Sequence, residues 1–380
     1  MKSKVVMVVC SSYDEEKVYR AMRQGIDELG GVEKFVKKEE KILVKPNFLL
    51  SATPDDAVTT HPAVIRGILR ILAETGYENT IYGDSAGHGS CANIAKKLGL
   101  KEEEYGAKLT DMSHEVKVFY EEGKTEKEFY FCQEVTEMDA LINVCKMKTH
   151  ALEKVTGAVK NLYGLICGYR KAAGHVAHPN ASVFARMLCD IHRYTRPRLH
   201  IMDGIMAMEG NGPGNGTPTP MNVLLFSEDP VALDTVFCHL VYLDPETVPT
   251  NAQGEVLGIG TYHLENIEIT VIEGEKKRVN APMEAIKRRY GNRHFDVNRE
   301  GKNKSLLSKF SSVMTAIAHR PVIDKKKCIK CGVCVQHCPV PGKAVNFKNG
   351  KKQPPVYDYK KCIRCYCCQE MCPKGAIHSK

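Results

Sequence analysis

No apolar run in this chain approaches the roughly 20 residues that a membrane-spanning helix requires; the longest, such as Val5 to Cys10, stop far short. Ser11, Ser12 and Asp14 close that stretch too early for the apolar core of a secretory signal, so a mature cytoplasmic protein is expected. Nucleotide signatures are missing as well. The glycines of Gly210-Asn211-Gly212-Pro213-Gly214-Asn215-Gly216 miss the G-x-G-x-x-G register, and no Lys-Ser/Thr pair follows at a Walker A offset, which leaves NAD and ATP without their usual phosphate cradle. The segment reads instead as a flexible lid over a ligand, or as a plain surface loop. The C-x3-C-x2-C loop of radical S-adenosylmethionine enzymes is absent too. Acidic residues are scarce toward the C-terminus: residues 276–380 hold 6 Asp and Glu against 25 Lys and Arg, while residues 1–275 hold 39 against 29. A basic tail on an acidic body suits contact with that body or with an acidic redox partner. Nucleic acid ranks behind both, because charge runs are ordinarily solvated faces.

What the chain has in quantity is cysteine, and eight of the 16 fall into one spacing used twice. Cys328, Cys331, Cys334 and Cys338 precede Pro339; Cys362, Cys365, Cys368 and Cys372 precede Pro373. This duplicated C-x2-C-x2-C-x3-C-P is the ligand pattern of two cubane [4Fe-4S] clusters, in which the tight loop supplies three thiolates and the other repeat supplies the fourth. Cluster one is therefore expected on Cys328, Cys331, Cys334 and Cys372, and cluster two on Cys362, Cys365, Cys368 and Cys338. Structural zinc uses C-x2-C pairs, and neither the third cysteine nor the Cys-Pro ending fits it. Cys367 has no counterpart and reads as a spare buried thiol. Thiolates committed to metal imply a reducing, oxygen-poor compartment.

Through residue 275, short β-branched runs alternate with amphipathic stretches. Val5 to Cys10, Ile42 to Lys45, Thr80 to Gly83, Ala140 to Cys145, Leu199 to Asp203, Val223 to Ser227 and Ile267 to Ile272 read as strands, and helices are expected between most of them. The pattern predicts an α/β fold, a doubly wound and mainly parallel sheet over residues 1–275, with residues 101–138 as an inserted excursion. Residues 276–322 read as a basic linker with a helix over Ser305 to Ala318, and residues 323–380 as a small α+β two-cluster ferredoxin unit.

Each predicted strand ends in a polar loop: Lys45-Pro46-Asn47, Gly83-Asp84-Ser85-Ala86-Gly87, Lys146-Met147-Lys148-Thr149-His150, Asp203-Gly204 and Ser227-Glu228-Asp229-Pro230. Open α/β sheets bind ligands beyond the carboxyl ends of their strands, so these loops are expected to converge on one crevice. Taken singly, each would pass for a cap or a solvated turn. Crowded or desolvated lysines lose their protons near neutral pH and can act as acids. Lys148, His150 and Lys160 are expected to position or protonate a substrate, with Asp84 and Asp203 orienting them; Lys45, Asn47, Ser85, Lys146, Asn161, Glu209 and Asp234 are expected to bind it. The same set would equally suit an anionic substrate with a divalent metal on the aspartates. A flavin or a divalent metal has no motif of its own here. Gly83 to Gly87 also matches G-x-S-x-G, yet glycines follow where a nucleophile elbow needs a helix, and no Asp and His pair stands out downstream. His175 and His178 offer either a metal pair at i, i+3 or two merely exposed imidazoles.

The run Lys146 to His150, Val159-Lys160-Asn161-Leu162-Tyr163-Gly164, Val44-Lys45-Pro46-Asn47, Gly83-Asp84-Ser85, Met202-Asp203-Gly204-Ile205, Met208-Glu209-Gly210 and Asp229-Pro230-Val231-Ala232-Leu233-Asp234 together resemble the uncharacterised iron-sulfur-centre proteins, in which a large domain of unknown function is fused to an eight-cysteine ferredoxin. The resemblance implies cluster ligands at the eight cysteines and carries no catalytic assignment. Cys367 and the longer turn at Pro341-Gly342-Lys343-Ala344 depart from the ordinary ferredoxin pattern without touching a ligand. The fusion predicts an oxidoreductase that takes low-potential electrons from an external carrier and passes them to a small, anionic molecule in the crevice, because a tethered donor acts at high effective concentration. One alternative is a metal-dependent lyase or hydrolase built on Asp84 and Asp203, with structural or sensory clusters. Another is a nucleic-acid-associated protein using Lys276 to Lys327 with Tyr290, Phe295 and Phe310.

Overall fold

The structure, a computed structural model, describes residues 2–300 and 320–380 apart from 88, 169 and 179. The body runs β1 (Ser3–Val9), α1 (Glu15–Glu28), β2 (Ile42–Lys45), α2 (Pro62–Glu74), β3 (Thr80–Tyr82), α3 (Cys91–Lys97), β4 (Glu103–Glu104), β5 (Ala107–Leu109), β6 (Glu115–Phe119), β7 (Glu128–Cys132), α4 (Gln133–Glu137), β8 (Ala140–His150), β9 (Lys154–Thr156), α5 (Ala158–Asn161), α6 (Arg170–Ala177), α7 (Ala181–Thr195), β10 (Leu199–Glu209), β11 (Thr217–Ser227), α8 (Pro230–Leu240), α9 (Pro249–Val256), β12 (Ile267–Glu273), β13 (Lys276–Arg278) and α10 (Met283–Tyr290). A second module follows with β14 (Pro321–Ile323), α11 (Val333–Gln336), β15 (Val345–Asn346), β16 (Val356–Tyr357), α12 (Cys367–Glu370) and β17 (Ile377–Ser379).

The main sheet has the order β13-β12-β1-β11-β10-β8-β2-β3-β5-β4, with β9 paired to β8. Strands β12, β1, β10, β8, β2, β3 and β5 share one direction, so the fold is α/β and mainly parallel; β11 runs against both its neighbours. Apolar residues one helical turn apart seat α1 and α2 on one face, where Val18, Met22, Ile65 and Ile68 pack with Val6, Val44 and Phe226. Helices α7 and α8 close the other face through Phe184, Leu188, Leu233 and Phe237. Each such side chain contributes about 1.5–3 kcal/mol by leaving water.

Three expectations are corrected. Because β11 is reversed, Ser227-Glu228-Asp229-Pro230 lies at the opposite edge from the ends of β2 and β3; Asp229 there caps α8, accepting from the N–H groups of Val231 at 2.9 Å and Ala232 at 2.8 Å. Strand β8 does not end at Cys145 but continues to His150, so Lys146, Lys148 and His150 belong to a strand and, at every second position, to one face of it. Residues 276–300 are not a loose linker: β13 pairs with β12, Met283 and Ile286 of α10 are buried, and Phe295 is fully enclosed. The buried Phe295 also removes one of the aromatic groups on which a nucleic-acid surface would depend. The helix expected over Ser305 to Ala318 and Phe310 lie outside the described residues. Among the described residues no helix is long and apolar enough to cross a membrane.

Candidate functional site

A cavity of about 550 Å³ lies between the body and the second module. Asn47, Asp84, Ser85, Lys148, His150, Lys160 and Asn161 line it from the body, and Cys338, Lys343, Cys367 and Glu370 line it from the other side.

Position along β8 decides which residues of one face arrive there. Alternate residues on a strand are about 7 Å apart, which spreads Lys146, Lys148 and His150 along the sheet. The Lys146 ammonium donates to Asp203 Oδ2 at 2.8 Å and to the Tyr13 hydroxyl at 2.9 Å, and Asp203 also accepts from the Tyr13 hydroxyl at 2.8 Å and the His61 N–H at 3.0 Å. This group is satisfied within the fold and lies outside the cavity lining. Lys148 donates to Asn47 Oδ1 at 2.8 Å and the Val58 carbonyl at 2.7 Å, with no carboxylate partner among the described residues; burial, then the Lys160 charge, bring its pKa down to about 7. His150 Nδ1 accepts from the N–H groups of Leu152 and Glu153, each at 3.1 Å, so its proton sits on Nε2. That atom is 3.1 Å from Glu370 Oε1, an ion-pair distance reached off the hydrogen-bond line. Burial lowers the His150 pKa and keeps the ring neutral.

Lys45 stops behind the wall, fully buried, with Nζ 2.8 Å from Asp84 Oδ1 and 3.0 Å from the Pro46 carbonyl. Gly164 crosses this pair so closely that a Cβ would fall 2.0 Å from Asp84 Oδ1 and 2.6 Å from Lys45 Nζ. Gly157 makes the same approach to Asp234, at 2.0 Å from Oδ1. Asp234 accepts from the N–H groups of Ala158 at 2.7 Å and Val159 at 3.3 Å, and burial pushes its carboxyl up to about 7. It therefore anchors the start of α5, the helix that carries Lys160, and does not itself reach the cavity. Asn161 accepts from Asn47 at 2.8 Å and donates to Asn143 at 2.7 Å. The Lys160 ammonium lies 5.0 Å from the Tyr163 ring centroid and 5.5 Å from that of Phe184; among the described residues it makes no hydrogen bond, and burial lowers its pKa.

Other sequence-predicted residues do not meet here. Glu209 accepts the Asp296 N–H at 2.9 Å and is outside the lining. Asp84 and Asp203 are each paired with a lysine, and only Asp84 faces the cavity, so they do not share a divalent ion. His175 stacks on Phe184 at 4.3 Å, whereas His178 Nε2 is 3.6 Å from Glu126, so the two are not one metal pair. The glycine-rich segment is neither a lid nor a bare surface loop. It forms the turn between β10 and β11 on which the second module docks: Asn211 donates to the Ile377 carbonyl at 3.0 Å and accepts from Gln369 at 2.7 Å, and Asn215 donates to the Gln369 carbonyl at 3.3 Å.

Of two residues without a signal at any predicted strand end, one lines the site and the other lies behind it within reach of the Lys160 charge. Lys171, on α6, lines the cavity and donates to Ser85 Oγ at 2.8 Å and the Ser85 carbonyl at 2.9 Å; burial brings its pKa to about 8. Ser85 Oγ also accepts the Gly168 N–H at 3.0 Å, so it is a fixed acceptor and not an elbow nucleophile. Glu153 is wholly buried with neither carboxyl oxygen partnered among the described residues; burial pushes it up to about 8 against the pull of Lys160.

In the second module the two repeats share their backbone. Lys330 and Arg364 adopt φ of 59° and 57°, and Gly332 and Tyr366 φ of 86° and 61°, which aligns Cys367 with Val333. Cys328, Cys331, Cys334 and Cys372 surround a small cavity of their own. Among the described residues no three His, Cys, Asp or Glu side chains converge on a single metal ion. Thiolates spread round a cavity fit a multi-iron core better than one zinc. The Ala344 N–H donates to Cys338 Sγ and the Ala376 N–H to Cys372 Sγ, each at 3.3 Å, and the Tyr357 hydroxyl donates to Cys368 Sγ at 3.1 Å. Hydrogen bonds to sulfur of this kind tune cluster potentials.

Residues 42–239 match the domain of unknown function DUF362, and residues 320–373 match the 4Fe-4S dicluster domain. The thylakoid-associated protein sll1697 of Synechocystis sp. is 32% identical over 260 residues, covering 68% of this chain and 81% of that one. Among solved structures, the lactate racemase apoprotein from Thermoanaerobacterium thermosaccharolyticum overlaps with a TM-score of 0.39 at 13% identity, over 62% of this chain and 56% of that one. A Thermotoga maritima protein overlaps with a TM-score of 0.37 at 16% identity, over 65% and 59%. The chain thus spans less than two thirds of either structure, and likeness at that level carries nothing about chemistry. The family match and the cysteine arrangement agree: the chain belongs to the DUF362 family and carries a 4Fe-4S dicluster ferredoxin domain behind it.

Proposed function

We propose that this protein is an iron-sulfur-dependent oxidoreductase that reduces a small anionic molecule held between the body and the ferredoxin module. One observation carries the reading: Cys338 faces the same cavity as Lys148, His150 and Lys160. The ligand spacing supports one cluster on Cys328, Cys331, Cys334 and Cys372 and a second on Cys362, Cys365, Cys368 and Cys338, which puts the second beside the cavity. When bound, the two clusters would supply low-potential electrons singly, refilled by an external carrier. The chain's own groups hold and protonate the substrate. Lys148, Lys160 and Lys171 offer positive charge to an anion, and among the described residues no carboxylate pairs with them at ion-pair distance. With its pKa near 7, Lys148 holds a transferable proton at neutral pH, and two protons with two electrons complete the reduction of a polarised double bond. The ferredoxin module forms one wall of the cavity, and Lys148 and His150 are buried there. All the cysteines are free of disulfides, which supports a reducing, oxygen-poor cytoplasm.

The test begins with anaerobic purification and identification of the small molecule retained by the protein. Lys160→Ala should abolish its turnover while leaving cluster absorbance unchanged, and retained turnover removes Lys160 from the mechanism. Deleting residues 320–380 should end a reductase reaction; a body that still folds and still turns over the compound would point to a non-redox enzyme.

A further inference from the structure

The two cluster sites have opposite surroundings. In the second repeat Cys365, Cys367 and Cys368 are buried, and Cys338 from the first repeat faces the internal cavity. In the first repeat Cys331 is exposed, and the neighbouring Ile329 is 56% exposed, a large apolar side chain presented to solvent. The small cavity bounded by Cys328, Cys331, Cys334 and Cys372 is also lined by Ile329, Lys330 and Lys374. Lys330 donates to the Lys352 carbonyl at 2.8 Å and Lys351 reaches the Cys331 carbonyl at 3.5 Å, which draws residues 351 and 352 to the same loop. Among the described residues no carboxylate lies within ion-pair distance of these lysines. The nearby Asp324 is occupied by the N–H of Lys326 at 2.8 Å.

The acidic body does not neutralise this patch, because the module docks on it through α12 and β17, where Asn211 and Asn215 hold Gln369 and Ile377. Exposed Ile329 beside Lys330 and Lys374 at the cysteine-lined cavity, with residues 351 and 352 drawn to the same loop, puts lysines next to an apolar centre. Rim charges of this kind steer an oppositely charged partner and raise the rate of encounter.

We infer that this face docks an acidic one-electron carrier protein, which meets Ile329 and the Cys331 loop with its carboxylates among Lys330, Lys351, Lys352 and Lys374. The inference rests on the electron-transfer reading above and adds the point of entry: cluster one faces the carrier and cluster two faces the substrate. The exchange balances simply. The reduced carrier would lose one electron and the cluster that Cys328, Cys331, Cys334 and Cys372 would hold would gain it, with no bond formed and no proton moved.

The test uses the full chain with clusters reconstituted anaerobically and, as probe, a strongly acidic bacterial ferredoxin reduced with dithionite. Binding of the labelled ferredoxin and its electron-transfer rate by stopped flow are measured against ionic strength, for wild type and for K330E/K351E/K352E/K374E. Affinity and rate should both fall about tenfold or more in the variant, and in wild type should fall as salt passes about 0.1 M, where screening shortens to roughly 10 Å. Ile329→Glu should show the same direction with the lysines intact. Cluster absorbance equal to wild type establishes that the variants are folded and loaded. Unchanged binding and rate in loaded variants overturn the inference. It is equally overturned if the substitutions abolish binding to duplex DNA or to phosphatidylserine vesicles and leave the ferredoxin unaffected. A wrong docking face leaves substrate turnover with dithionite as donor intact, whereas a wrong substrate reading leaves the ferredoxin kinetics intact, so the two fail separately.

Discussion

His150 Nε2, at the end of β8, lies 3.1 Å from Glu370 Oε1 on α12, and this contact joins the body to the ferredoxin module at the wall of the cavity. Both atoms are withdrawn from water and the contact is electrostatic, so truncating either partner removes the polar group that the other faces. His150→Ala and Glu370→Gln should each lower stability by about 1–3 kcal/mol. A double-mutant cycle on thermal unfolding checks it, and a coupling near zero would show that the contact holds nothing together.

Anion binding in the cavity should weaken as pH rises through about 7 to 8. Lys148 is brought to about 7 and Lys171 to about 8, both by burial, and each is cationic below its pKa and neutral above it. Loss of one required proton costs up to about tenfold in affinity per pH unit above that pKa. Calorimetric titration with the retained anion should show this fall. Lys148→Met should remove the lower inflection and keep the one near 8; a flat profile in wild type refutes the assignment.

Glu153 should make the protein less stable as pH rises. Its folded pKa, about 8, is raised above the unfolded value by burial, so the folded state holds the extra proton; that contribution is complete below the unfolded pKa and is lost as pH rises toward about 8. Glu153→Gln keeps the neutral shape without the titration. Its melting temperature should match wild type near the unfolded carboxylate pKa of about 4.3 and exceed it increasingly toward pH 8. Equal slopes for the two proteins across that range would mean that Glu153 is already ionised in the fold.

Gly164→Ala should be more damaging than its single added methyl suggests. The new Cβ would overlap Asp84 Oδ1 at 2.0 Å and Lys45 Nζ at 2.6 Å, forcing the buried ion pair or the chain over it to move. A loss on the order of 3 kcal/mol is expected, read as a lower unfolding midpoint. A midpoint within error of wild type would show that the segment shifts freely.

The dicluster ferredoxin domain and the α/β alternation were legible in the residues because both signals are local: cysteine spacing follows from the reach of one tight loop, and strand and helix periods repeat within a few residues. The rule that open α/β sheets bind at the carboxyl ends of their strands likewise pointed the loops carrying Asp84 and Lys148 to a common region. The roles of individual charges were not legible. Lys146, Lys148 and His150 stand in one short run on one face of β8, yet their spread along the strand leaves Lys146 with Asp203 and only the other two at the cavity. Asp229 and Glu209 read like site residues, but the reversed β11 and the β10–β11 turn carry them elsewhere. Lys171 and Glu153 gave no sign, since their meaning comes from what is packed round them.

By itself, the sequence determined that eight cysteines repeat one spacing in a 4Fe-4S dicluster domain and that a mainly parallel sheet precedes them. Tertiary structure alone decided that the ferredoxin module seats on Asn211 and Asn215, so that Cys338 and Lys148 border one space. The physical reason is range. Ligand spacing and strand period act between near neighbours in the chain, whereas strand direction, burial of an ammonium and the meeting of two modules depend on contacts between residues far apart in it.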